Sequence, residues 1–400
     1  MADLDALKAQ VVAEVDRRAD VLLDVSHRIH GRPELGFEEH YAHELLTSVL
    51  ADAGIDTERG VCDVPTAFRA TAGSDHGPTV AVLCEYDALP EIGHACGHNV
   101  IASAGVGAAL SAAAVADAVG GRLVVLGTPA EEGGGGKIVL ARRGAFDGID
   151  AALMVHPADA DLLTMSTLAI QQLEAWYEGK AAHAAAFPWE GSNALDAAVL
   201  GYVGVAALRQ HIRPTERVHG VFTKGGDKPN IVPQEAATFW FVRSDTFASL
   251  ERLKPRVLAA LEAGAAATGC RITHEWDDHP YADLRDNHAM QHAFAANAAA
   301  LGRLVGPPDH DHKVVGSTDM GNVSYLVPSI HPMLQVAPPG VGIHTPEFAR
   351  YAGGDEGDRA VIDGAKALAM TIVDLWADAT LLAAARDEFA AGPGSETPVQ

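Results

Sequence analysis

Cys96 and His98 stand two residues apart in the run Gly93-His94-Ala95-Cys96-Gly97-His98-Asn99. A thiol and an imidazole at that spacing, in a glycine-bounded loop, can turn toward one metal ion, and Zn²⁺ and its neighbours accept both kinds of ligand. A buried cysteine beside a surface histidine has the same spacing, so further donors are needed. Two more stretches supply them. Glu131-Glu132 follows the apolar run 122–127 and the step Thr128-Pro129-Ala130, and His156 follows Ala151-Ala152-Leu153-Met154-Val155. On extended backbone neighbouring side chains point to opposite sides, so one glutamate would ligate while the other faces the water that a metal activates. That division suits hydrolysis, in which a carboxylate carries the proton. The plainer alternative is a solvated acidic pair at a helix start, where the dipole favours negative charge. The glycines 133–136 before Lys137 lack the phosphate-loop spacing G-x-x-x-x-G-K-[ST] and read as a place where backbone passes close to the site. A rival use of the Cys–His pair is a thiol hydrolase with Cys96 as nucleophile.

These side chains need elements to position them. The pattern predicts amphipathic helices over 4–29 and 38–54, then a weaker strand pair in 55–71. Strands at 79–84, 122–127 and 151–155 alternate with helices at 100–118 and 137–144, which describes an α/β domain with a mostly parallel sheet flanked by helices. In such sheets sites form at the carboxyl ends of strands, and all three strand ends deliver metal-type side chains. From residue 168 the pattern becomes a half-exposed strand to 180, a helix at 193–211, strands at 217–224 and 235–243, a helix at 247–268 and a strand at 270–276. This is an inserted α+β domain over 168–280. The catalytic domain is then 1–167 together with 281–400, the latter carrying helices near 286–302 and 357–386 and a strand at 333–336. The tail after Ala390 reads as frayed.

Composition narrows the class. The chain has 400 residues, a length that suits two domains, and its net charge of −24 argues against nucleic acid and anionic membranes as partners. Its four cysteines have no framework spacing, and Met1 to Leu23 holds no apolar signal core. Both point to a soluble cytoplasmic protein. Val100 to Ala116 carries no charge but is rich in alanine, glycine and serine, as a buried crossover helix would be.

The chain resembles the dinuclear metallopeptidases that include aminoacylase, glutamate-releasing carboxypeptidase and the plant auxin-conjugate amidohydrolases (peptidase family M-twenty, subfamily D). The matching stretches are Asp87-Ala88-Leu89-Pro90, His94 to His98, Pro129 to Gly136, Gly179-Lys180-Ala181-Ala182-His183-Ala184, Asn230-Ile231-Val232-Pro233, Gly316 to Met320 and His344-Thr345-Pro346-Glu347-Phe348. The short approach from Leu83 to Pro90 into the Cys96 loop, and Asn99 where many relatives have Asp, look like its dipeptidase branch.

The resemblance implies hydrolysis of an amide bond in a dipeptide or N-acyl amino acid by two divalent ions per subunit, with zinc first and manganese or cobalt as alternatives. It places the metal ligands on Cys96, His98, Glu132, His156 and His344. A workable division gives one ion Cys96, His98 and His156, the other Cys96, Glu132 and His344, with a hydroxide between them. Glu131 is then the general base and Asp87 a carboxylate partner of His98. His183 stands where a histidine of the second domain reaches the partner subunit's site to stabilise the oxyanion. Asn230 and Arg243 match substrate-holding positions, although Arg243 could equally form a structural salt bridge. The inserted domain is the expected lid and the surface of a homodimer. A catalytically silent peptide-binding relative is the alternative from another class, but the base and every ligand are present. His310 and His312 read as a solvated loop.

Overall fold

The computed structural model describes residues 3–308, 315–392 and 398. His310, His312 and most of the C-terminal tail lie outside the described residues. The chain divides into two compact units, residues 1–166 with 284–400, and residues 167–283.

The first unit opens with helices α1 (Leu4–Arg17), α2 (Ala19–His30) and α3 (His40–Asp52). The single helix expected over 4–29 is thus two. Arg18 leaves helical geometry (φ −103°, ψ 5°), and both Arg17 and Arg18 pair with the buried Glu14. Strands β1 (Asp56–Arg59) and β2 (Phe68–Gly73) follow, then β3 (Thr79–Cys84), α4 (His98–Val119), β4 (Arg122–Gly127), α5 (Gly136–Arg142), β5 (Ala151–Leu153) and β6 (His156–Ala158).

The central sheet has six strands in the order β1, β2, β4, β3, β5 and Ser329–Ile330. The first two pairings are antiparallel and the other three parallel. Five of the six residues of β3 are buried, as expected of a parallel strand covered on both faces. The run expected as a strand to 155 stops at Leu153. His156 begins a separate strand paired in parallel with Met333–Gln335. Helix α4 is long and apolar enough to cross a membrane, but 89% of its most apolar window is buried in the fold. Its small residues permit close packing: a Cβ on Gly105 would lie 2.7 Å from Cys84 Sγ. The helix expected over 357–386 is also two, Asp355–Ala377 and Ala379–Ala391. Asp378 takes extended geometry, and its carboxylate accepts from the N–H groups of Thr380 and Leu381, capping the second helix.

The second unit is an antiparallel sheet in the order Arg271–Trp276, Ala169–Glu178, Glu235–Ser244, Arg217–Lys224. Its period-2 burial along Ala169–Glu178 marks one covered face. Helices Ala194–Leu208 and Phe247–Thr268 belong to the same unit.

Candidate metal centre

The loop after β3 carries Cys96 into the start of α4, of which His98 is the first residue. Gly97 makes this possible: its φ is +80°, and a Cβ there would lie 2.5 Å from Pro157. The His344 loop is tied to the Cys96 loop by its own N–H, which donates to the Ala95 carbonyl at 2.8 Å. His344 itself has φ +64°, a strained geometry of the kind that clusters at functional sites.

Five side chains meet here. Cys96 Sγ lies 3.4 Å from His156 Nε2, and His344 Nε2 lies 3.3 Å from Glu132 Oε1. Cys96, His98 and His156 form one group of donor atoms within 4.8 Å of one another, and Cys96, Glu132 and His344 form another, with Cys96 common to both. The imidazoles are oriented as ligands. His98 Nδ1 is 2.8 Å from Asp87 Oδ1, and His156 Nδ1 donates to the Pro157 carbonyl at 2.7 Å. Each leaves Nε2 facing the group, an arrangement that fixes tautomer and ring direction. His98 Nε2 and Glu132 Oε1 are buried with no hydrogen-bond partner among the described residues. Buried polar atoms are normally satisfied, so orphaned nitrogen and oxygen beside a cysteine sulfur fit divalent metal ions.

Asp87 does two jobs, since its Oδ2 also accepts from the Glu132 N–H at 2.9 Å. Burial pushes the Asp87 carboxyl up, but His98 and these hydrogen bonds outweigh it and hold it below its ordinary value. Glu131 and Glu132 do not sit on extended backbone as expected. Ala130 has φ +59°, and the pair lies in a turn. Both carboxylates therefore converge, each 4.0 Å from His98 Nε2. Burial, then Glu85, Glu132 and Asp319, raise the Glu131 carboxyl well above its usual range. The glycine run lets backbone approach as expected: a Cβ on Gly136 would lie 1.7 Å from the Pro129 carbonyl oxygen.

The remaining site residues lie in the second unit. Ala185 and Ala186 donate their N–H groups to His183 Nδ1, which puts the ring proton on Nε2. Asn230 is its neighbour, because its carbonyl accepts from the Ala184 N–H at 3.0 Å. Arg243 is the ninth residue of Glu235–Ser244, with its guanidinium 5.7 Å from the Phe241 ring.

Sequence reasoning missed four buried residues beside the donors. Lys137 lies 2.6 Å from Glu85 Oε1 and 2.7 Å from Asp319 Oδ1, and the ring of His331 is 5.3 Å from that of His156. Two left a signal: Glu85 stands two residues before Asp87, a spacing that puts both on one side of extended backbone, and Asp319 belongs to the stretch Gly316 to Met320.

Residues 81–372 match the family described as Peptidase family M20/M25/M40. The chain is 39% identical to the Xaa-Arg dipeptidase of Mus musculus, over 97% of this chain and 93% of that one. It is 30% identical to a subunit of the p-aminobenzoyl-glutamate hydrolase of Escherichia coli (strain K12), over 94% of this chain and 92% of that one. The fold matches the crystal structure of a dinuclear metal-binding peptidase from Bacillus subtilis, with a TM-score of 0.71 at 19% identity, covering 90% of this chain and 99% of that one.

Proposed function

The chain belongs to peptidase family M20/M25/M40, and on that premise we propose that it hydrolyses an amide bond of dipeptides or N-acyl amino acids at a pair of divalent ions. The observation that carries this reading is the sharing of Cys96 between two donor groups with Glu131 beside them. One ion would be held by Cys96, His98 and His156, the other by Cys96, Glu132 and His344. When bound, the ions polarise the scissile carbonyl and lower the pKa of a water. The thiolate and imidazole donors suit zinc, with manganese and cobalt as competitors.

The chain's own residues do the rest. Asp87 fixes the His98 ring and the Glu132 backbone together, so two ligands keep one geometry. Glu131 takes a proton from the attacking water and delivers it to the leaving amine. With Glu132 engaged as a ligand, its charge would raise the proton affinity of Glu131 less, and Glu131 would be free to take that proton. Direct attack by Cys96 is disfavoured: burial, then Glu132, push its thiol well above the usual range, and burial, then His98, push His156 down to about 4. A buried thiol that keeps its proton is a poor nucleophile.

A screen of dipeptides and N-acyl amino acids tests the reading. It should include Xaa-Arg dipeptides, the substrates named for the mouse relative, with zinc, manganese and cobalt supplied in turn. Activity is expected to vanish with EDTA and to return with metal. Turnover that survives complete metal removal would overturn the proposal.

The inserted unit would form a homodimer. Its edge strand Arg217–Lys224 exposes Val221 and Phe222, and the helix bearing Val199, Leu200 and Val203 exposes those three as well. The two elements adjoin, since Tyr202 stacks on Phe222 with ring centroids 5.6 Å apart. An unpaired apolar edge of this kind is a template for a second copy. Across such a dimer, the Nε2–H of His183 would donate to the oxyanion in the neighbour's site, and losing one such donor costs roughly 10²–10³ in kcat. His183→Ala and Glu131→Gln subunits, nearly inactive alone, should complement when mixed. Random reassociation gives about half mixed dimers, each with one intact site, so activity returns to about a quarter of wild type. Mixed dimers that form without recovered activity would remove His183 from the neighbour's site.

A further inference from the structure

Lys137 is fully buried beside the donor groups, an unusual place for a lysine. Asp319 holds it at both ends: Oδ1 takes the ammonium at 2.7 Å, and Oδ2 accepts from the Lys137 N–H at 2.8 Å. The ammonium also lies 2.6 Å from Glu85 Oε1. The other Glu85 oxygen, Oε2, is buried, accepts no hydrogen bond from the described residues and lies 3.4 Å from His98 Nε2. Glu85, His98 and Glu131 thus offer a third set of donor atoms within 4.8 Å of one another. Left alone, a carboxylate so close to a ligand atom would bind the ion, because carboxylate oxygens reach zinc at about 2.0–2.2 Å. That would fill the position a catalytic site keeps open for water and substrate.

We infer that Lys137 is a positioning residue: anchored by Asp319, it engages Glu85 Oε1 and holds that carboxylate outside the coordination of the ions. The inference rests on the two-ion reading given above. Glu85 stays close enough to contribute negative charge near His98, while its ion pair keeps its oxygens off the open position.

The test counts metal as well as turnover. Wild type, Glu85→Gln, Lys137→Met and the double variant are loaded with Zn²⁺, freed of excess and assayed for bound zinc, then titrated with a competing chelator. Fewer than two zinc ions per wild-type subunit would overturn the two-ion reading itself. With two in the wild type, Glu85→Gln should also keep two, because Glu85 is not a ligand. Lys137→Met should bind zinc at least about tenfold tighter, the scale on which groups behind the ligands act, with kcat lowered by about 10–100-fold. Adding Glu85→Gln to Lys137→Met should restore the wild-type affinity and most of kcat. Loss of an ion from Glu85→Gln would make Glu85 a ligand and overturn the inference. So would unchanged or weaker zinc binding in Lys137→Met. If Lys137→Met does not fold, the zinc count of Glu85→Gln decides alone.

Discussion

Glu131→Gln is expected to retain both metal ions and to lose about 10²–10⁴ in kcat, the range attributed to a positioned acid–base group. The substitution keeps the shape of the side chain but removes its capacity to take a proton. The neighbouring Glu132→Gln should behave differently. Glu132 Oε1 faces His344 Nε2 at 3.3 Å and has no hydrogen-bond partner among the described residues, so its loss should lower metal content before it lowers turnover of fully loaded protein. Metal analysis beside steady-state kinetics separates the two variants. Near-normal kcat in Glu131→Gln, or loss of metal from it, would mean that the roles are exchanged or that neither residue is the base.

The turn that brings these two carboxylates together was not legible in the sequence, although the strand before them was. Strands β3, β4 and β5 announced themselves as apolar runs because burial on both faces leaves no polar alternation. The carboxyl ends of β3 and β4 were therefore predictable, and with them the loops of Cys96 and Glu131, whereas β5 stops two residues early and His156 opens a strand of its own. The left-handed backbone at Ala130 has no such signal, since alanine is not a residue that usually marks positive φ. The breaks at Arg18 and Asp378 were hidden for another reason: helical periodicity continues through both, and a single residue's local geometry ends each helix. The Glu85–Lys137–Asp319 cluster could not be read from spacing at all. Its members come from the end of β3, from the second residue of α5 and from a loop 182 residues further on. Only the fold brings one buried cation between two buried carboxylates.

Cys96→Ala is expected to abolish turnover and to lower bound metal below that of any other single ligand variant. The reason is its place in the geometry. His98 and His156 belong to one group of donors, Glu132 and His344 to the other, and Cys96 alone among these five belongs to both. Removing a ligand of one group weakens one ion, whereas removing the shared sulfur weakens both. The same residue should make metal loading dependent on pH. Burial and the nearby Glu132 hold the Cys96 thiol well above its ordinary value, so the metal-free protein carries the proton and an ion must displace it to gain a thiolate. Loading therefore weakens as pH falls and releases protons as it proceeds. Calorimetric titration of metal in two buffers of different ionisation enthalpy would register that release in the wild type, with fewer protons released in Cys96→Ala. The outcome that would defeat the bridging role is simple: Cys96→Ala that binds two ions per subunit as tightly as the wild type shows that the two donor groups do not depend on a shared sulfur.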